Sequence, residues 1–240
     1  MGDTRIRPGG WLLAEGVRRT RDRFREGWRE HATDVPRRRF FWTITWGWAI
    51  ASAVMLALCW GARRLEDAGR LDWELAVLER VGTEGPMSFS TALWAESPGN
   101  SVFMIPVILA AALLCVWLRR PLRAMAVLAS FFIMDLVVLL GWLAWNRDRP
   151  VAIEGGIASP GFHSFPSGHV AQMVAAYGLL TWFWVRASRS WIERVVAVTL
   201  HVVATALVAL SRLRLGAHWP TDILAGAIVG ALWLAVVIVA

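Results

Sequence analysis

Residues 195–240 read VVAVTLHVVATALVALSRLRLGAHWPTDILAGAIVGALWLAVVIVA. Two apolar runs flank a dozen residues, 211–222, that hold two arginines, a histidine and an aspartate. Crossing the hydrocarbon core of a bilayer takes about 20 predominantly apolar residues in a helix. The runs therefore read as two membrane spans, 195–211 and 221–240, joined by a polar connection. Arginines at such an edge can simply touch lipid headgroups; with a histidine and a carboxylate beside them they can also form a site.

The same signal recurs toward the N-terminus at 41–61, 101–118, 124–145 and 169–187. The chain has 240 residues, is 57% hydrophobic and has a mean hydropathy of +0.49. A soluble domain is nearer 45–50% apolar. The expected fold is all-α, a polytopic membrane protein of six transmembrane helices. Residues 1–40 form a basic amphipathic segment on the cytoplasmic side, and 41–240 form one membrane domain. The first run is too long for the core of a signal peptide and reads as a retained anchor.

Arginine placement orients the spans. The N-terminal 40 residues carry a net +5, and the links RRPLR (119–123) and RASRSWIER (186–194) are basic, whereas 62–99 carries a net −3. Six spans with both termini cytoplasmic satisfy all four, and put 146–168 and 212–220 together on the extracytoplasmic face of a plasma (inner) membrane. The net charge of +7 suggests membrane lipid rather than nucleic acid as the partner, because it is concentrated beside the spans. All 25 basic residues are arginine. Cys59 and Cys115 lie inside apolar runs, which argues against a disulfide framework. Two further stretches are amphipathic: 11–30, with Leu13, Val17, Phe24 and Trp28 on one face, and 71–81, with Leu71, Leu75 and Leu78. The first is expected to lie on the membrane surface.

Three polar clusters end up at one membrane face. WNRDRP (145–150) closes the third span with Arg147 and Arg149. FHSFPSGHVAQ (162–172) puts Pro166, Ser167 and Gly168 before the fourth span and His169 in its first turn, where free N–H groups suit an anion. In SRLRLGAHWPTD, His218 and Asp222 are four apart, on one helical face. Pro220 is tolerated there because a first-turn residue needs no N–H partner. A carboxylate one turn from an imidazole can fix its tautomer and raise its basicity. Singly, each cluster is weak, since arginines commonly snorkel at span ends. Together, two histidines, a carboxylate and several guanidiniums, whose planar fork matches phosphate oxygens, point to phosphoryl transfer through histidine. No third ligand accompanies His169 and His218, so neither a metal nor another cofactor is expected.

These stretches resemble the three signatures of the type 2 phosphatidic acid phosphatase superfamily, membrane lipid phosphate phosphatases related to the vanadium haloperoxidases. RP (149–150), PSGH (166–169) and SRLRLGAHWPTD (211–222) carry the resemblance, which covers about residues 40–240. It implies a metal-independent phosphoric monoester or diphosphate hydrolase acting on a lipid phosphate. His218 would attack phosphorus and carry a phosphohistidine, with Asp222 orienting it. His169 would protonate the leaving oxygen and later activate water. Arg149, Arg212, Ser167 and Gly168 would hold the phosphate oxygens. The lipid stays open among undecaprenyl pyrophosphate, phosphatidate, phosphatidylglycerophosphate and lipid A phosphates.

One position departs from the pattern. The family's first signature has a lysine seven residues before its arginine, and here that residue is Trp142. Three readings follow: Arg147 or Arg214 supplies the missing cation, the substrate class differs, or the member is inactive or not a phosphatase. Beside hydrolysis stand two alternative functions, transfer of the phosphoryl group to an acceptor other than water and non-catalytic binding or transport of a lipid phosphate. Separately, Asp135 and His201 fall roughly 15–17 Å inside the third and fifth spans at 1.5 Å rise per residue. They are expected to pair with each other or to find partners between helices.

Overall fold

The computed structural model describes residues 10–150 and 164–240. Described elements are helical: α1 (Gly10–His31), α2 (Asp34–Asp67), α3 (Trp73–Glu84), α4 (Phe89–Glu96), a 3-10 turn (Ser97–Gly99), α5 (Ser101–Trp117), α6 (Pro121–Ala144), α7 (Gly168–Gln172), a π turn (Met173–Tyr177), α8 (Gly178–Ala187), α9 (Trp191–Arg214) and α10 (Pro220–Val239). Five described segments are long and apolar enough to cross a membrane: α2, Phe89–Trp117, α6, α9 and α10. Lipid offers no partner for backbone N–H and C=O groups, so each span must satisfy its own as a helix. The surfaces follow suit, with Leu200, Val202 and Val203 on α9 facing outward.

Two expected spans come out differently. The first does not begin at 41. α2 has 34 residues, about 51 Å at 1.5 Å per residue, against a hydrocarbon core of about 30 Å. It overshoots and carries Glu66 beyond the apolar zone. The stretch expected as a fourth span, 169–187, is helical throughout but is split by the π turn, so no single α-helix of spanning length occupies it.

The core is built around α6, whose Phe131, Met134, Val137 and Val138 meet Met55 of α2, Met104 of α5 and Trp233 of α10. The Trp233 indole N–H donates to the Ala129 carbonyl at 3.0 Å. α7 lies almost backbone to backbone on α10. A Cβ at Gly226 would stand 2.5 Å from the Ser167 carbonyl oxygen, and one at Gly230 would stand 2.7 Å from that of Ala171. This small-xxx-small pair sets how closely the 164–172 segment approaches α10.

α1 does more than lie on a surface. Leu13 and Val17 are exposed, but Gly27 packs on the backbone of Arg119, whose guanidinium pairs with Glu26 (3.0 Å) and Glu30 (3.2 Å). The C-terminal half of α1 is thus docked on the α5–α6 turn. In 71–81, Leu71 and Leu78 are buried against the bundle while Leu75 is exposed.

Asp135 and His201 do not pair with each other. The Gln172 side-chain amide, from the intervening helix, donates to Asp135 Oδ1 at 2.7 Å and to the Phe131 carbonyl at 2.9 Å. Asp135 thus has its partner between helices. His201 instead lines an apolar cavity of about 500 Å³ between α8 and α9, with Met173, Tyr177, Leu200 and Pro98.

Candidate active site

The site forms at one end of the bundle, where the α6 exit, the turn into α7 and the α9–α10 connection meet. α10 starts at Pro220 because Trp219 adopts an extended conformation at the cap and its N–H donates to Asp222 Oδ2 at 2.8 Å. That contact helps orient the Asp222 carboxylate. Oδ2 also accepts the Ser164 hydroxyl, and Oδ1 accepts Arg147 Nη1–H at 2.7 Å.

His218 is buried, 2% exposed. Its Nδ1 stands 2.8 Å from the Ser164 carbonyl and 3.5 Å from Asp222 Oδ2. A carbonyl only accepts, so Nδ1 carries the proton and donates it, leaving Nε2 with a free lone pair. The expected direct tie from Asp222 to His218 is therefore relayed in part. Ser164 takes the imidazole N–H with its carbonyl and gives its hydroxyl to Asp222. Burial lowers the His218 pKa from 6.5 to about 4; Arg212 and Arg149 push the same way, and the hydrogen bond and charge of Asp222 oppose them. At neutral pH the ring is uncharged, the form that can act as a nucleophile.

The arginines divide into two sets. Arg149 Nη1–H donates to the Ala217 carbonyl at 2.7 Å. Burial and then the neighbouring Arg212 charge hold its guanidinium below the usual arginine value, against the pull of Asp222. Arg212 is buried and pairs with the buried Glu96. These two cations stand close enough to repel, and both act on His218.

Arg147 belongs to the other set, which corrects the expectation that it replaces the missing lysine. It is 4% exposed. Nε donates to Glu66 (2.8 Å), Nη2 to Glu74 (2.5 Å), and Nη1 to Thr221 Oγ1 (2.8 Å) as well as Asp222. Its guanidinium carbon also lies over the rings of Trp145 (5.0 Å) and Trp219 (5.2 Å). Burial alone would lower its pKa, but the Asp222 and Glu74 carboxylates win and raise it. Every edge of this fork faces protein carboxylates or the Thr221 hydroxyl, so it is a structural hub. Arg214 is likewise engaged elsewhere: its Nε–H donates to the Met87 carbonyl at 3.0 Å.

Trp142, in the lysine position, donates its indole N–H to the Pro166 carbonyl at 3.2 Å. It thereby braces the turn that presents Ser167 and Gly168, where the Phe165–Pro166 peptide is cis. The Ser167 N–H donates to the Asp222 carbonyl at 3.0 Å. The buried Ser167 hydroxyl has no partner among the described residues. His169 follows in the first turn of α7, with Nε2 2.9 Å from Asn100 Oδ1.

Six contributors were not singled out from sequence: Ser164, Glu66, Glu74, Glu96, Asn100 and Thr221. Four of them come from the 62–100 region. Its acidic surplus was the available signal: three of its acids, Glu66, Glu74 and Glu96, pair with the site's arginines. No cluster of three or more His, Cys, Asp or Glu side chains placed to hold a metal ion occurs among the described residues.

Fold and site together define a polytopic helical membrane protein with a paired-histidine, paired-arginine site at one end of its helices. The chain belongs to the PAP2 superfamily, whose family model matches residues 123–240. Among solved structures it is similar to a transmembrane PAP2-type phosphatidylglycerolphosphate phosphatase from Bacillus subtilis. That match has a TM-score of 0.67 and 21% identity, covering 80% of this chain and 94% of that one. It is also similar to LpxE from Aquifex aeolicus, with a TM-score of 0.51 and 16% identity over 68% of this chain and 93% of that one. No curated protein matches it in sequence.

Proposed function

We propose that the protein hydrolyses a phosphate or pyrophosphate ester of a membrane lipid through a phosphohistidine on His218, at the extracytoplasmic face. The observation that carries this reading is the His218 ring itself. It is buried and neutral, with Nδ1–H held by Ser164 and with Arg149 and Arg212 acting on it. His218 Nε2 attacks phosphorus, and the P–O bond to the lipid breaks. His169 gives the departing oxygen its proton. Water then attacks phosphorus and yields a proton to His169 as the P–N bond breaks, releasing inorganic phosphate and restoring both rings. The two mutually repelling guanidiniums and the unpartnered Ser167 hydroxyl suit the three non-bridging oxygens. Acid–base help of this kind is worth roughly 10²–10⁴-fold.

The topology that accompanies this reading has α7, the π turn and α8 crossing as one unit, giving six spans with both termini cytoplasmic. The lipid reaches the histidines sideways, its tail against the cavity between α8 and α9. Pro98 lines that cavity, and the adjacent Gly99 packs on the His169 ring.

The test is phosphate release by purified protein from the four lipid classes named above, alongside His218→Ala, with acid-labile ³²P trapped on the protein. Release and label in the wild type that both vanish in the variant support the reading. Equal release by both proteins would refute it. Label passed to a lipid or sugar acceptor faster than to water would make the protein a phosphotransferase. Tight binding without release would make it a binding protein.

A further inference from the structure

The geometry points to Asn100 as a positioning residue that keeps a hydrogen on His169 Nε2 and so leaves Nδ1 as the nitrogen that exchanges a proton with the substrate; this rests on the catalytic role proposed above for that histidine. Asn100 is the cap of α5, with an extended backbone (φ −76°, ψ 136°), yet its side chain makes no cap hydrogen bond. An asparagine in that position ordinarily accepts from an N–H of the first turn. Here Oδ1 stands 2.9 Å from His169 Nε2, 69 residues along the chain. An amide oxygen only accepts, so Nε2 keeps its hydrogen. A locally favoured bond has been forgone for a distant one, which is the pattern of a residue serving a site.

A second contact fixes the same ring. A Cβ on Gly99 would stand 3.0 Å from His169 Cδ2 and 3.3 Å from its Cβ. Any larger residue at 99 would press its Cβ on that edge, and the ring would have to give by a few tenths of an ångström. Gly99 thus covers the Cδ2 edge and Asn100 the Nε2 corner, while Nδ1 has no hydrogen-bond partner among the described residues. Nδ1–H protonates the leaving oxygen; the ring is left neutral with its proton on Nε2, and Nδ1 takes the next proton from water. Both rings of the site are then tautomer-locked in opposite senses, His218 by a carbonyl at Nδ1 and His169 by a carbonyl at Nε2. Residue 100 lies outside the segment matched by the family model, so the lock is supplied by another part of the chain.

The experiment compares Asn100→Ala and Asn100→Leu with wild type on two substrates, measuring kcat/KM for the full-length protein in detergent. Dioctanoyl phosphatidate loses an alkoxide, which needs a proton; p-nitrophenyl phosphate loses a stable phenolate, which does not. Removing the hydrogen-bond partner that orients a metal-ligating histidine typically costs about 10–100-fold, and a loss of that order is expected on phosphatidate. On p-nitrophenyl phosphate the expected loss is under about 3-fold, since proton donation contributes little to that step. Asn100→Asp retains an acceptor at Nε2 and is expected to keep most of the phosphatidate activity. Equal losses on both substrates, no loss on either, or Asp performing no better than Leu would each overturn the inference. Wild-type protein inactive on both substrates and on the four lipid classes would instead sink the proposed function.

Discussion

Replacing Arg147 by Met should be among the most damaging single changes outside the histidines. In the structure its guanidinium faces three carboxylates at 2.8, 2.5 and 2.7 Å. Two of them, Glu74 and Asp222, are 1% and 0% exposed, so water cannot take over when the cation is removed. Breaking a buried pair by deleting one partner costs about 3–5 kcal/mol. For a chain of this length each kcal/mol moves Tm by about 2–4 °C, giving an expected drop of about 6–20 °C. The exposed Arg80–Glu84 pair, 3.1 Å long and 80% and 69% exposed, supplies the contrast: Arg80→Ala should cost under about 1 kcal/mol. Thermal unfolding in detergent, followed by the fluorescence of the 16 tryptophans, reads both. Adding Glu74→Gln to Arg147→Met should recover part of the loss, because one stranded charge is then gone. An Arg147→Met protein that melts with the Arg80→Ala control would refute the hub assignment. So would a double variant less stable than the single one.

Three further outcomes are expected. The His218 pKa falls from 6.5 to about 4 on folding, so its stabilising contribution is complete above 6.5 and is lost as pH falls toward 4. Between pH 7 and 4.5 wild type should lose about 2–3 kcal/mol more than His218→Gln; parallel losses in the two proteins would contradict a buried neutral ring. Trp142→Phe removes the donor to Pro166, worth about 1 kcal/mol, and should lower kcat/KM about five-fold without unfolding the protein; unchanged kinetics would mean the turn needs no brace. Gly226→Ala pushes a methyl to 2.5 Å from the Ser167 carbonyl and should reduce activity at least about ten-fold, whereas Gly61→Ala, with nothing within 4 Å, should be neutral or stabilising by up to about 1 kcal/mol. Equal tolerance at both glycines would argue against the tight α7–α10 contact.

The spans were legible because hydrocarbon permits so little else: long apolar runs announced α6, α9 and α10 within a few residues. Lipid exclusion says nothing about where a helix stops once it leaves the membrane, which is why the ends of α2 were missed. The π turn at 173–177 was also hidden, since apolar residues of similar type occupy it and its flanks. In the site, the short-range pair His218–Asp222 and the PSGH turn were visible from spacing alone. Arg147 was misjudged because its guanidinium's partners lie 73 to 81 residues away, at Glu74, Thr221, Asp222 and Glu66. Asn100 carries no mark in the sequence, because a helix cap whose capping bond is not made reads the same as one whose bond is.

The acidic 62–100 region has a practical consequence for anyone cutting or grafting this chain. A fragment starting at residue 121 would contain all three signature motifs and the whole family match. It would nonetheless leave Arg147 without Glu66 and Glu74, Arg212 without Glu96, and His169 without Asn100. The motif-bearing half is thus not a portable module. A chimera that keeps it must bring residues 66–100 along, and two separately expressed halves could restore one another only by reassembling those long-range ion pairs.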